Sequence, residues 1–298
     1  MYDKAFLFNG IGSKPEKLIS ALPPELYDKY IFYFDKAFSR LGLNKDIEKN
    51  DLFSKRTAEW IVSLLCDRVI FEYLSSKGIY PDIAAGYSMG IVSVSACFGC
   101  FSHEFAHDVI MTTRSAMQSI TDNGLDMDLG IVIGFSYDDI SELLKSKFSQ
   151  DDLIVGSGNS TFHTMLSGKT DVLESALEYC TNEGAIKTFR FDAGIAFHHP
   201  SMQLFASDYI DFCASIEYNA PDFPILSVFN RRILTTPGEM KKENQLNIYT
   251  PIRWDLTIKR LEEIGIREFF DTSANGAVKK FSRVSRKCRI YTIEDFFS

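Results

Sequence analysis

The sequence predicts an α/β fold with a parallel sheet and an inserted ferredoxin-like α+β subdomain, and two patterns carry this prediction. The first is a small-residue strand at 81–85, a glycine-flanked turn at 86–90 and an apolar helix that continues to about residue 101. A strand, a tight turn and a helix in this order are typical of a parallel sheet buried beneath helices. The second is the order β-α-β-β-α-β over roughly 65 residues from Leu129, the split βαβ pattern of ferredoxin-like modules.

The other predicted elements show how these two patterns are arranged along the chain. Outside the insertion, the predicted elements are strands at 5–8, 224–229 and 267–271, and helices at 16–42 (interrupted by Pro23 and Pro24), 57–77 and about 252–264. Because parallel-sheet signals precede and follow the ferredoxin-like pattern, we read that pattern as an insertion. We therefore predict a large unit from residues 1–125 and 193–298, and a small subdomain from residues 126–192.

Composition excludes several classes of protein. The 298 residues carry a formal net charge of −8, so nucleic acid is a poor partner for this chain. Six cysteines are scattered without a regular framework, which indicates reduced thiols. The N-terminal residues lack the pattern of a signal peptide, and no apolar run has the length of a membrane span. We expect a cytoplasmic protein that binds neither membrane nor nucleic acid.

The turn at 86–90 contains the candidate nucleophile. Gly86, Ser88 and Gly90 form a G-x-S-x-G pattern between the predicted strand and helix. Small flanking residues allow the strained turn that lifts a serine hydroxyl into a cleft. The helix that follows directs its N-terminus, including the backbone N–H of Met89, towards developing negative charge. The strand and helix around Ser88 favour a nucleophile over an ordinary corner.

A serine nucleophile needs a base, and His198 is the candidate. Five histidines are available, and the pair His198–His199 follows the insertion directly, at the junction with the large unit. Paired histidines in loops more often lie on the surface. A loop between two structural units, however, is a natural wall for a cleft.

Three other motifs carry weaker interpretations. His103-Glu104-x-x-His107 matches the zinc-protease pattern, but no third ligand follows nearby, and we expect a polar turn. Cys97-x-x-Cys100 has no second metal-binding pair and lies in an apolar helix, so buried thiols are the better interpretation. Gly10-Ile-Gly12 lacks the third glycine of a dinucleotide loop, although Gly10 would let the backbone approach a ligand closely.

Together these pieces resemble the malonyl-CoA:acyl-carrier-protein transacylase family, including stand-alone acyltransferases and acyl hydrolases of polyketide assembly lines. Four stretches in order carry the resemblance: 8–14 (FNGIGSK), 86–90 (GYSMG), 198–202 (HHPSM) and 247–254 (NIYTPIRW). They match the family's opening FPGQGSQ, its GHSxG, its histidine before a methionine, and its late (Q/N)xxxPVxW. The resemblance spans essentially the whole chain, and the family also carries the ferredoxin-like insertion on an α/β-hydrolase-like domain.

The resemblance implies a ping-pong acyltransferase in which Ser88 attacks an acyl thioester and His198 takes its proton. It implies an oxyanion hole from the backbone amides of Ile11 and Met89, and a histidine oriented by a late glutamine carbonyl. Asn247 stands at that glutamine's position with a shorter side chain. The implied substrates are phosphopantetheine thioesters of coenzyme A or of an acyl carrier protein, with no bound cofactor or metal. It also implies a monomer.

The substrate contacts predicted from these matches are Gly10, Thr113, Arg114 and Asn159. Members of the family that handle malonyl carry an arginine where an ungapped count of 25 residues from Ser88 reaches Thr113. Arg114 is the next residue, and one position on a helix is a rotation of about 100°. We therefore expect Arg114 to point away from the pocket unless the helix shifts, and a specificity that is not restricted to malonyl.

Three functions remain open at this stage. The first is an acyltransferase between coenzyme A and carrier-protein thioesters in polyketide or fatty acid biosynthesis. The alternative is a thioester hydrolase that clears acyl groups from carrier proteins, and a third is a silent carrier-protein binding module. Basic residues recur at about helical spacing between Lys279 and Arg289. They form either a solvated helix face or a docking surface for an acidic carrier protein.

Overall fold

The computed structural model describes residues 2–297 of the chain. Its strands are β1 (Lys4–Phe8), β2 (Ile83–Gly86), β3 (Met127–Ile133), β4 (Leu153–Ser160), β5 (His163–Lys169), β6 (Lys187–Arg190), β7 (Ile225–Leu226), β8 (Ile233–Leu234), β9 (Ile252–Arg253), β10 (Glu268–Asp271) and β11 (Arg289–Tyr291). Its α-helices are α1 (Pro15–Ile19), α2 (Pro24–Leu41), α3 (Leu52–Ser76), α4 (Gly90–Cys97), α5 (His103–Asp122), α6 (Tyr137–Lys145), α7 (Thr170–Asn182), α8 (Met202–Phe205), α9 (Ser207–Ser215), α10 (Pro237–Leu246), α11 (Trp254–Glu263) and α12 (Ala277–Phe281). Two short 3₁₀ helices lie at Ile47–Lys49 and Ile293–Phe296.

The first sheet has the strand order β11-β10-β1-β2-β7-β8, and all its pairs are parallel except that of β7 with β8. Successive side chains of β1 enter two different cores, since Phe6 and Phe8 pack in one and Ala5 and Leu7 in the other. A strand whose two faces are both buried reads as a continuous apolar run, which is why the parallel sheet is visible in the sequence.

The second sheet has the order β6-β3-β5-β4-β9. The pairs β6–β3, β3–β5 and β5–β4 are antiparallel, and these four strands alternate with α6 and α7 in the predicted order β-α-β-β-α-β. A separate core that includes Val132, Ile140 and Leu173 lies between this sheet and the two helices. The predicted fold class, an α/β parallel sheet with a ferredoxin-like α+β insertion, is confirmed.

Strand β9 is an addition that the sequence did not reveal. It pairs in parallel with β4, although it lies far beyond the insertion in the chain. Its two residues join the small sheet to the segment that continues into α11. The domain boundaries at residues 126 and 192 stay a prediction, because this strand belongs to the small sheet by its hydrogen bonds and to the large unit by its sequence.

Several helix boundaries differ from the predicted ones. The expected helix at 16–42 is split into α1 and α2, because Pro24 begins a new helix after the break. Helix α3 begins at Leu52, earlier than predicted, since the Asp51 side chain accepts hydrogen bonds from the backbone N–H groups of Phe53 and Ser54. The basic C-terminal segment is not one helix, because α12 ends at Phe281 and Arg289 lies in β11.

Among residues 2–297, no helix combines the length and the apolar character needed to cross a membrane.

Candidate active site

Ser88 lies in a strained turn between β2 and α4. Its backbone φ is 54°, in the left-handed region that a residue other than glycine rarely adopts. The flanking glycines make the turn possible, because a Cβ added to Gly86 would lie 2.4 Å from the backbone of Gly90. A Cβ on Gly90 would in turn lie 2.3 Å from the carbonyl oxygen of Phe8. The turn therefore packs against β1 at backbone contact and holds Ser88 above the sheet.

His198 is hydrogen-bonded to Ser88. The distance between Ser88 Oγ and His198 Nε2 is 2.8 Å. On the other side of the ring, Nδ1 lies 3.1 Å from the backbone carbonyl oxygen of Thr250. A carbonyl oxygen only accepts, so Nδ1 carries the proton and Nε2 accepts from the serine hydroxyl. Burial lowers the pKa of His198 to about 4, which keeps the ring neutral at pH 7.

Two backbone N–H groups near Ser88 have no hydrogen-bond partner among residues 2–297. Within residues 2–297, neither the N–H of Ile11 nor that of Met89 donates to another residue. Met89 immediately precedes α4, whose helix dipole adds positive potential at this end. Ile11 follows the end of β1 and lines both cavities that reach Ser88. An oxyanion hole needs free donors of this kind, and the assignment of Ile11 and Met89 to one stays a prediction.

The side chain of Asn247 does not orient His198, but its backbone, with that of Thr250, acts on the ring. The side-chain Oδ1 of Asn247 is buried and has no hydrogen-bond partner among residues 2–297. The ring nitrogen Nδ1 is instead held by the backbone of Thr250, three residues later. Every residue type has a backbone carbonyl, so the sequence carries no signal for the role of Thr250. Asn247 remains part of the site because it lines a cavity at Ser88.

The first of two cavities that reach Ser88, the inner cavity, is narrow and largely apolar. Its side-chain walls include Trp60, Val92, Ile110 and Ile248, and sequence analysis singled out none of them. Thr113 also lines it, as predicted, but its hydroxyl donates to the carbonyl oxygen of Ile110 at 2.6 Å. Besides Ser88 itself, the remaining polar wall residues are Tyr209 and Asn247. The Tyr209 hydroxyl donates to the carbonyl oxygen of Asn244 at 3.1 Å.

Arg114 does not reach the inner cavity, as the helix rotation predicts, so its place among the predicted substrate contacts is corrected. Its side chain is 40% exposed, and Nη2 lies 3.5 Å from Oδ2 of Asp51. Thr113 is buried on the other face of α5, so the rotation of about 100° between neighbouring residues separates the two side chains.

The second cavity, the cleft, is wider and lies between the two sheets. Ser88, Asn159 and His163 line it together with Phe191 and Phe281. Asn159 is thus brought to the site, whereas Gly10 lies behind it. A Cβ added to Gly10 would lie 3.1 Å from Cβ of Ser88 and 2.9 Å from the ring of Tyr87. The predicted contact of Gly10 with substrate is therefore corrected to a packing role behind the nucleophile.

The His103–His107 motif lies outside both cavities. His107 is buried, and neither ring nitrogen has a partner within residues 2–297. Burial lowers its pKa to about 3, so the ring is neutral. Glu104 instead pairs at the surface with Lys36 at 2.9 Å. The described part of the chain contains no group of three or more His, Cys, Asp or Glu side chains arranged to hold a metal ion.

Comparison with known proteins places this geometry in a family. Residues 55–278 match the model of the acyl transferase domain. The malonyl CoA-acyl carrier protein transacylase of Bacillus subtilis is 22% identical over 303 residues, which cover 98% of this chain and 93% of that protein. The structure of the malonyl CoA-acyl carrier protein transacylase from Coxiella burnetii aligns with a TM-score of 0.81 at 22% identity, over 98% of this chain and 94% of that one.

A second similar structure is a type II polyketide synthase acyl-carrier protein in complex with its malonyl-transacylase. It has a TM-score of 0.81 and 19% identity, and the match covers 98% of this chain and 96% of that one. At these identities the structures establish the fold, while the family model covers most of the chain. The predicted enzyme class, an acyltransferase, is confirmed, and these relatives do not support the hydrolase alternative. The chain belongs to the acyl transferase domain family.

Proposed function

We propose that this protein moves an acyl group between phosphopantetheine thiols of coenzyme A and an acyl carrier protein, with Ser88 as the covalent carrier. The observation that carries the proposal is the 2.8 Å contact between Ser88 Oγ and a neutral His198 whose Nε2 is the accepting nitrogen. A serine hydroxyl is a weak nucleophile until an adjacent base can take its proton.

The first half-reaction forms an acyl-serine. Ser88 Oγ attacks the thioester carbonyl carbon while its proton passes to His198 Nε2. The oxyanion that develops accepts hydrogen bonds from the N–H groups of Ile11 and Met89. As the tetrahedral intermediate collapses, the carbon–sulfur bond breaks and His198 Nε2 returns the proton to the departing thiolate. The Thr250 carbonyl accepts from Nδ1 throughout and stabilises the transient imidazolium.

The second half-reaction runs the same steps in reverse with another thiol. The incoming thiol gives its proton to His198 Nε2, its sulfur attacks the acyl carbon, and the ester oxygen of Ser88 leaves and recovers that proton. Ser88, His198, the thioester and the thiol account for every bond and proton in the cycle. The reaction therefore needs no redox group or metal.

The inner cavity supports an uncharged acyl group as the substrate. A carboxylate at its end would have to be buried, at a cost of several kcal/mol unless a cation pairs with it. The Thr113 and Tyr209 hydroxyls already donate to backbone carbonyls, and the exposed Arg114 faces Asp51. The apolar walls fit a short alkyl acyl chain better than malonyl.

Charge supports an acidic carrier protein as the partner. Six exposed basic residues lie on the chain that runs from α12 to β11: Lys279, Lys280, Arg283, Arg286, Lys287 and Arg289. Lys280 also lines the cleft that leads to Ser88. On a protein with a net charge of −8, such a cluster attracts an acidic partner to one place. A similar protein has been solved in complex with its acyl-carrier protein.

The test is an acyl transfer assay. Labelled acetyl-coenzyme A and an acyl carrier protein that bears phosphopantetheine are incubated with the wild type, with Ser88→Ala and with His198→Ala. We expect label on the carrier protein only with the wild type, and at least a 10³-fold slower transfer with either variant. Undiminished transfer by Ser88→Ala, or release of free acetate in place of transfer, would contradict the proposal.

A further inference from the structure

A line of hydrogen bonds connects the turn that holds Ser88 to the small sheet. The hydroxyl of Tyr87 donates to Ser157 Oγ at 3.1 Å. Ser157 donates in turn to Oδ1 of Asn159, and Nδ2 of Asn159 lies 2.9 Å from Nδ1 of His163. Tyr87, Ser157 and Asn159 are all buried. The first two bonds therefore point the same way, from Tyr87 towards Asn159.

The direction of this line determines the tautomer of His163. Oδ1 of Asn159 accepts from Ser157, so its amide nitrogen faces the histidine, and an amide nitrogen only donates. Nδ1 of His163 must then accept, and the ring proton is on Nε2. Burial, and secondarily the charge of Arg283, lower the pKa of His163 to about 4, so the ring is neutral at pH 7. His163 thus presents one N–H donor.

The ring of His163 is also held in place. It stacks on Phe281 with a centroid distance of 6.0 Å and an interplanar angle of 25°. His163 lines the cleft that also contains Ser88, and its Nε2 bonds to no atom of residues 2–297. Aromatic and aliphatic side chains make up much of the surrounding wall: Leu129, Ile131, Met165, Phe189, Phe191 and Phe281. An oriented donor on an apolar wall selects a ligand with a hydrogen-bond acceptor at that point.

A second base for the incoming thiol is a poorer role for His163. Nδ1 already accepts from Asn159, and Nε2 holds the proton, so neither nitrogen is ready to receive another. A change of tautomer would leave two donors facing each other at Asn159. The arrangement fits a hydrogen-bond donor to substrate rather than a base.

We propose that His163 is a substrate-binding residue whose Nε2–H donates to an amide carbonyl of the phosphopantetheine arm. This inference rests on the proposed function, because the arm is the amide-bearing part of a thioester that must thread the cleft to reach Ser88. The line from Tyr87 through Ser157 and Asn159 positions the donor, and the acyl group itself lies beyond its reach in the inner cavity.

The test compares substrates with and without amides. In His163→Phe the aromatic ring that stacks on Phe281 is kept and the donor is lost. We expect kcat/KM for acetyl-pantetheine to fall about tenfold, the worth of one ordinary hydrogen bond, mainly through KM. With the acetyl thioester of butanethiol, which has no amide, kcat/KM should stay within about twofold of the wild type. His163→Gln, which restores an N–H donor, should recover part of the loss.

Equal losses on both thioesters would overturn the inference, because a merely structural residue affects all substrates alike. An unchanged kcat/KM for both thioesters in His163→Phe would also overturn the role of His163. A binding measurement tests the role of His163 even if the proposed acyl transfer through Ser88 fails. Ser88→Ala, with and without His163→Phe, is titrated by calorimetry with the S-propyl thioether of pantetheine, which cannot react. Affinity should fall about tenfold with the added substitution whether or not Ser88 becomes acylated.

Discussion

At the scale of single residues, the pair Ser88–His198 was predictable from the sequence. The backbone carbonyl of Thr250, which holds the His198 ring, was not. The glycine-flanked serine and the histidine at the junction are side chains in recognisable motifs, and the structure brings their reactive atoms to 2.8 Å. Thr250 contributes only its backbone carbonyl to the site, and every residue type has one. The outward direction of Arg114 followed from helix geometry alone, since neighbouring residues on a helix point about 100° apart.

The burial of His198 predicts an unusual pH dependence. A group with a lowered pKa stays deprotonated down to that pKa, so the neutral base persists to about pH 4. We expect kcat/KM for acylation of Ser88 to be level from about pH 7.5 to about pH 5.5 and to fall only below that range. Stopped-flow acylation rates at each pH measure this dependence, and circular dichroism at the same pH values shows whether the protein is still folded. A half-loss near pH 6.5, where an ordinary histidine titrates, would be inconsistent with a buried neutral base.

Thr113 offers a test of acyl specificity. In Thr113→Arg, a guanidinium enters the inner cavity, where a free carboxylate would pair with it. We expect the ratio of malonyl to acetyl acylation rates to rise at least tenfold. The malonyl carboxylate gains an ion pair with the new arginine, whereas the acetyl group gains nothing and has less space. Competition between the two coenzyme A thioesters measures the ratio.

The matched control is Arg114→Ala. It removes an exposed cation that faces Asp51, so the ratio should not change. Loss of malonyl loading in Arg114→Ala would instead show that Arg114 binds the carboxylate of malonyl.

At the scale of elements, the strongly patterned segments were predicted and most of the shortest strands were not. The order β-α-β-β-α-β was visible because each of its elements has a clear apolar period. Strands β7, β8 and β9 have two residues each, and only β7, which lies in the apolar run at 224–229, was predicted. The first helical stretch was predicted as one helix with a break, and Pro24 makes it two.

The contact between α4 and β1 predicts that Gly90 cannot be replaced. In Gly90→Ala the new methyl group would lie 2.3 Å from the carbonyl oxygen of Phe8 and 2.7 Å from that of Asn9. We expect the free energy of unfolding to drop by about 3 kcal/mol and acylation to be lost, because the turn must move. Urea denaturation measures the free energy of unfolding, and the acyl transfer assay measures the loss of acylation.

Gly238→Ala is the control for this prediction. Gly238 lies in α10, and an added Cβ would have no neighbour within 4 Å. It should therefore stabilise the protein by up to about 1 kcal/mol. Equal effects at Gly90 and Gly238 would show that the close packing of the turn is not what requires glycine.

At the scale of the whole molecule, the site depends on both sheets. Ser88 and Ile11 follow strands of the large sheet, whereas Asn159 and His163 belong to the small one. Strand β9 joins the two units just after Thr250, whose carbonyl holds His198. A sequence predicts both units from local patterns. It does not predict a two-residue strand that pairs across them, because that pairing depends on contacts far apart in the chain.

The distribution of charge over the molecule predicts how the carrier protein docks. Arg286→Glu with Lys287→Glu reverses two exposed charges of the basic cluster. We expect KM for the acyl carrier protein to rise about tenfold while KM for acetyl-coenzyme A changes less than twofold. The rise should shrink as salt is added, because exposed charges are screened. Lys242→Glu, an exposed charge on α10, is the control, and an equal effect there would argue against a localised docking surface.

Acyl transfer through Ser88 is tested most directly by the mass of the enzyme itself. The wild type and Ser88→Ala are mixed with acetyl-coenzyme A without an acceptor, quenched in acid at successive times, and weighed intact by mass spectrometry. The wild type should gain one acetyl group within its first turnover, peptide mapping should locate it on Ser88, and adding the carrier protein should remove it. An unmodified wild type, or an acetyl group that also appears on Ser88→Ala, would contradict a covalent carrier at Ser88.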